Sequence, residues 1–169
     1  MHRYSFLTVL QLERCIRMKK NTVLYMILTL LAVLSIINIA AKEGTYTFTT
    51  TLTGAAEVNA QGVPNQGDPD GSGNATIKIN YGQGTVCWDI RVNGITLPAT
   101  AAHIHDAPVG VAGPVFVGLS APSTKGVAIG CASVSRDLLK AIIEHPEEYY
   151  VNVHNSDYPA GVVRGQLSQ

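Results

Sequence analysis

From Thr45 onward the chain is written in short runs of β-forming residues, each broken by Gly, Pro, Asn or Asp. Strands are expected near 46–53, 73–81, 85–92, 101–105, 114–119, 126–132, 149–154 and 162–167. Short strands at regular spacing, with turn residues between them, point to an all-β fold: an antiparallel, Greek-key-like β-sandwich of about eight strands. Ala75, Ile77 and Ile79 alternate with Thr76, Lys78 and Asn80. Val86, Trp88, Ile90 and Val92 likewise alternate with Cys87, Asp89 and Arg91. Each of these strands therefore has one wet face, because successive side chains point to opposite sides of a sheet. The two should pair through Tyr81-Gly82-Gln83-Gly84, with Trp88 in the core.

A single helix interrupts the pattern, over about 136–145. Ser135 is suited to cap it, Asp137 sits in the first turn where the helix dipole favours an anion, and Leu138, Leu139, Ile142 and Ile143 form an apolar stripe at helical spacing. Pro146 ends it just after His145. By contrast, Asn59–Gly73 is rich in Gly, Pro, Asn and Asp without apolar periodicity, which predicts a long loop. Asp68, Asp70 and Asn74 fall short of the EF-hand spacing for calcium. Asn74-Ala75-Thr76 forms a glycosylation sequon, of consequence only in a host that glycosylates exported proteins.

The N-terminal 41 residues read as a targeting segment. Lys19 and Lys20 form a positive start, Val23–Ile37 an apolar run, and Asn38-Ile39-Ala40-Ala41 a small-residue end, as in a secretory signal peptide with cleavage after Ala41. The alternative is an uncleaved anchor, since residues 22–41 carry no charge and approach the ~20 residues that span a bilayer. Met18 resembles the true start of such a peptide. The remainder, 42–169, reads as one domain, exported to the cell envelope or beyond, that meets a membrane only through this segment.

Residues 42–169 carry 7 Lys and Arg against 11 Asp and Glu. An acidic balance without basic clusters excludes nucleic acid as a partner. Two cysteines lie in this part, Cys87 and Cys131. An even pair in an exported domain reads as one disulfide, and the alternative is a pair of buried free thiols. No nucleophile elbow, phosphate-binding loop, dinucleotide fingerprint or metalloprotease helix is present. A binding or structural module is thus expected rather than an enzyme.

The chemistry left is in the histidines. His103 and His105, two apart on one strand, project to the same face, and His154 ends another strand. Three imidazoles of this kind suit one copper or zinc ion. The same residues also suit a structural hydrogen-bond network, with Asp106 and Asp157 near enough in sequence to serve as partners, and a catalytic role stays open beside these two.

His103-Ile104-His105 preceded by Ala101-Ala102, then Tyr149-Tyr150-Val151-Asn152-Val153-His154, Tyr158-Pro159-Ala160 and Gly161-Val162-Val163-Arg164-Gly165-Gln166-Leu167, resembles the CHRD domain first described in chordin and common in secreted bacterial proteins. The resemblance runs from about 46 to 167. Thr53-Gly54-Ala55-Ala56-Glu57-Val58 resembles the family's opening motif, with Asn59 in place of its usual proline. It implies the β-sandwich and an extracellular or envelope setting, with the partner undefined. The order His103, His105, His154, Arg164 is also similar to copper/zinc superoxide dismutases, in which a strand His-x-His and a distant His hold copper and a late arginine guides the anion. The bridging histidine and the zinc-binding set are absent here, so at most one metal is implied. Arg164 and Glu57 are the supporting residues, and a guanidinium forked onto Glu57 or Asp89 is the structural alternative.

Overall fold

A computed structural model of the chain describes residues 44–169. The proposed signal peptide or anchor lies outside the described residues, and none of the helices within them is long and apolar enough to cross a membrane. Eight strands are present: β1 (Thr45–Thr53), β2 (Ser72–Asn80), β3 (Thr85–Asn93), β4 (Ala101–Asp106), β5 (Val115–Leu119), β6 (Val127–Ser133), β7 (Tyr149–His154) and β8 (Val163–Gln166). All pair antiparallel in one sheet of order β5-β4-β7-β8-β1-β2-β3-β6. The connections β3–β4 and β5–β6 cross from one end of this order to the other. The sheet is nearly closed, and Trp88 Nε1 on β3 donates to Ser120 Oγ just past β5, at 2.9 Å, linking the two ends. The expected β-sandwich is therefore a sheet curled around one core.

The alternation in the sequence fixes what enters that core. Phe48 and Leu52 of β1, Ile77 and Ile79 of β2, Val86 and Ile90 of β3, Ile104 of β4, and Val151 and Val153 of β7 are fully enclosed. Burying such a side chain stabilises the fold by roughly 1.5–3 kcal/mol. Thr49 and Thr51 stay on the wet face of β1, where β-branching still favours the extended backbone. Trp88 joins the same core, as its alternation predicted.

The helix, α1 (Arg136–Glu144), starts where the capping argument placed it: the Ser135 hydroxyl accepts from Leu138 N at 3.4 Å. Leu139 and Ile142 drive it onto the core, both fully buried, and His145 caps its C-terminus before Pro146. The His145 ring lies 3.5 Å from the Glu147 carboxylate on the surface.

Cys87 and Cys131 are bonded. They stand directly opposite each other on β3 and β6, with Cα atoms 4.0 Å apart. That is closer than the usual span of about 4.4–6.8 Å for a bridge, and it joins adjacent strands of one ladder and not separate layers. Both lie on the outer side, opposite to Trp88.

Candidate functional site: a histidine cluster under two loops

Strand register builds the site. His103 stands opposite Asn152, which stands opposite Arg164, which stands opposite Thr53, a polar row running across β4, β7, β8 and β1. One step along, His105 faces Tyr150 and Tyr150 faces Gln166. His154 faces Ala101 at the end of β7. All these side chains belong to the outer set, since Ala102, Ile104, Val151 and Val153 between them fill the core. An outer face of this kind would ordinarily be wet. Here Glu57, His105, Asn152 and Arg164 are 2, 8, 3 and 2 % exposed.

Two irregular segments accomplish that burial. The loop Ala107–Pro114 is fastened by its own backbone: Arg164 donates to Val111 O at 2.7 Å and Pro108 O at 3.0 Å, and Gln166 Nε2 donates to Ala107 O at 2.9 Å. His105 Nδ1 meets Gly113 O at 3.0 Å, and Tyr150 Oη accepts from Gly113 N at 3.1 Å. A side chain at Gly113 would run into the Asp106 carbonyl and Ala107, so only glycine lets the loop return this tightly. The second segment brings Glu57 in from the turn after β1. Gly161, at φ 150°, leaves the space in which the Glu57 carboxylate sits.

The three histidines come together. Ring centroids of His103 and His105 lie 5.5 Å apart, those of His103 and His154 5.1 Å, and those of His105 and His154 5.9 Å. One nitrogen from each ring falls within 4.8 Å of the others, and no cysteine or carboxylate joins the group among the described residues. His103 Nδ1 and His154 Nε2 are 3.2 Å apart. The partners of the remaining nitrogens are backbone carbonyls: Gly113 O for His105 Nδ1, and Pro159 O for His154 Nδ1 at 3.2 Å. Neither Asp106 nor Asp157 fills that role, as Asp157 instead accepts from the Thr96 hydroxyl. A carbonyl only accepts, so each contact fixes the proton on Nδ1 and leaves Nε2 unprotonated, and in His154 that nitrogen faces His103 Nδ1. His105 Nε2 is buried and has no hydrogen-bond partner.

Electrostatics keep the rings neutral. Burial lowers the pKa of His103 and of His105, and pushes His154 down to about 4, with neighbouring imidazoles adding to the effect at His105 and His154. Unprotonated nitrogen is the ligating form.

Arg164 does not fork onto Glu57 or Asp89. Its donors go to the loop carbonyls, its guanidinium lies 3.4 Å over the Tyr150 ring, and Asp89 pairs with Arg91 at 3.0 Å. At 2 % exposure it is no guide for an anion from solvent. Tyr150 in turn stacks on His105, with centroids 4.9 Å apart and planes at 9°. Glu57 approaches Asn152, whose Nδ2 lies 3.5 Å from Glu57 Oε2, while Glu57 Oε1 and Asn152 Oδ1 have no partner. Burial pushes the Glu57 carboxyl up to about 8, against the pull of Arg164 and the Asn152 contact.

Sequence reasoning missed Tyr150, Asn152 and Gln166. Tyr150 and Asn152 share the parity of His154 along β7, and that signal was readable.

The profile of the CHRD domain matches residues 48–167. The chain belongs to the CHRD family. The matched span takes in every strand from Phe48 of β1 to the end of β8, so the histidine face is part of the domain itself. No curated protein and no solved structure matches the chain. Membership in this extracellular family, together with the Cys87–Cys131 disulfide, is consistent with export.

Proposed function

We propose that this CHRD domain is an exported binding module, secreted or retained in the cell envelope, whose ligand is a single copper or zinc ion held by His103, His105 and His154. The observation that carries this reading is the buried, unpartnered Nε2 of His105 beside two further imidazoles. A buried polar atom without a partner costs about 1–3 kcal/mol, and an ion at this point would recover it. The carbonyls on the Nδ1 atoms of His105 and His154 are the outer partners that orient ligating imidazoles. Metal–nitrogen bonds of about 2.0–2.1 Å place tetrahedral ligand atoms roughly 3.4 Å apart, close to the 3.2 Å between His103 and His154. Three neutral nitrogens of borderline softness suit copper or zinc better than calcium or magnesium. The module holds the ion, and we assign no turnover to it.

The second reading is a structural network, favoured by the direct His103–His154 contact. Thermal melts separate the two. Adding copper or zinc to metal-free protein, purified without a histidine tag, should raise the melting temperature, by the equivalent of about 2.7 kcal/mol at a hundredfold excess over Kd. His105→Ala should abolish that rise. A wild-type melt unmoved by either ion, with His105→Ala simply less stable, would establish the network instead.

A further inference from the structure

Two of the proposed ligands also hold the backbone of the loops that cover them. His105 grips Gly113 O through Nδ1, and the next link, Gly113 N to Tyr150 Oη, belongs to the same ring stack of His105, Tyr150 and Arg164. His154 grips Pro159 O in the turn before β8. The first loop is otherwise anchored at Ala107, Pro108 and Val111, so Gly113 is the point where the cluster itself reaches it. What this clamped loop shows to solvent is apolar: Val109 is 76 % and Val111 48 % exposed.

We infer that an ion in the histidine site regulates the Ala107–Pro114 loop, fastening it to the sheet through His105 when the site is loaded. This rests on the metal reading above. Ligation at Nε2 draws electron density from the imidazole, which makes the Nδ1 proton a more positive donor and strengthens its bond to Gly113 O. It also stops the ring turning about its own axis, so the donor remains directed at the carbonyl. The same applies to His154 and Pro159 O. His103 bonds His154 and no loop carbonyl among the described residues, so it reaches the clamp only through His154.

Amide hydrogen exchange read by mass spectrometry tests this, with zinc as the probe and calorimetry reporting its binding in parallel. One equivalent of zinc should slow exchange in peptides covering 107–114 and 158–161 by about fivefold, the factor expected when a bond gains about 1 kcal/mol. The β2–β3 hairpin, remote from the site, should exchange unchanged. His103→Ala, compared with its own metal-free rates, should lose the response to zinc, with His103→Gln in its place if the alanine variant loses native circular dichroism. Stoichiometric zinc binding with unaltered loop exchange, or slowing spread equally over the hairpin, would overturn the regulation and leave the metal site standing. Absence of binding by zinc, and by copper as well when copper is the probe in its place, would overturn both.

Discussion

The outer face of β2, β3 and β6 and the outer face of β4, β7 and β8 arise from the same alternation, yet one lies open and the other is sealed. On the first, Arg91 and Asp89 pair with side chains 59 and 41 % exposed, Ile129 is 65 % exposed, and the disulfide crosses between Cys87 and Cys131. On the second, a carboxyl, a guanidinium, a carboxamide and an imidazole are nearly all removed from water. Strand pattern decides which residues leave the core. Whether they then meet solvent is decided by loops, and those loops are held by the very polar side chains they bury. Polar groups carry large energies only where water is excluded, so the chemistry of this domain concentrates on the sealed face.

The comparison is put to its strongest test by removing the guanidinium that closes the sealed face. Arg164→Ala should lower stability by about 3 kcal/mol or more in chemical denaturation, because it leaves the carbonyls of Val111 and Pro108 without donors under a covered loop. Arg164→Lys should recover little, since one ammonium cannot reproduce the fork and the stack on Tyr150. A loss below about 0.5 kcal/mol, the size usual for surface positions, would show that the two faces do not differ in energy as they differ in exposure.

A second test uses pH. Glu57 stays protonated in the folded domain up to about 8 but ionises near 4.5 when unfolded. Its raised pKa therefore gives stability that is complete below 4.5 and is lost as pH rises toward 8. The histidines act in the opposite sense: with folded pKa values below 6.5, and about 4 for His154, their stabilisation is present above 6.5 and is lost as pH falls. The two effects oppose each other between 4.5 and 6.5, and Glu57 acts alone from 6.5 to 8. In metal-free protein, stability should fall over that upper window by up to about 2 kcal/mol, at 1.36 kcal/mol per unit for one proton. Glu57→Gln should flatten the decline and leave the acid limb in place. A slope that survives the substitution would mean that the buried carboxyl is already ionised at neutral pH.

Much of the fold was legible because period-two alternation is a local signal. The hairpin of Ile77 and Trp88, the Ser135 cap and the facing cysteines each depend on residues close in sequence or on parity along a strand. The sealed face was only half legible. His103 and His105 announce themselves by spacing, and parity along β7 would have added Tyr150 and Asn152. That Arg164 binds Pro108 and Val111, 53 to 56 residues away, has no local signature, because its partners are carbonyls that every residue possesses. The same reason led to Asp106 and Asp157 as candidate histidine partners: carboxylates are visible in a sequence, and backbone acceptors are not.

The smallest effect is expected on the open face, where it completes the comparison. Arg91 and Asp89 lie two apart on β3 and meet at 3.0 Å, a pair that would look strong from distance alone. Both side chains are well over a third exposed, so water screens their attraction and ordering the long arginine offsets part of the gain. Double-mutant cycles on such pairs give about 0.2–1 kcal/mol. Arg91→Ala should therefore change stability by about 0.5 kcal/mol or less, and by less still in high salt, where charges at this exposure are screened further. The same arginine chemistry on Arg164 should be insensitive to salt, its partners being buried carbonyls. Denaturation of both variants at low and high ionic strength reads this directly: an Arg91→Ala loss as large and as salt-insensitive as that of Arg164→Ala would remove the distinction between the two faces.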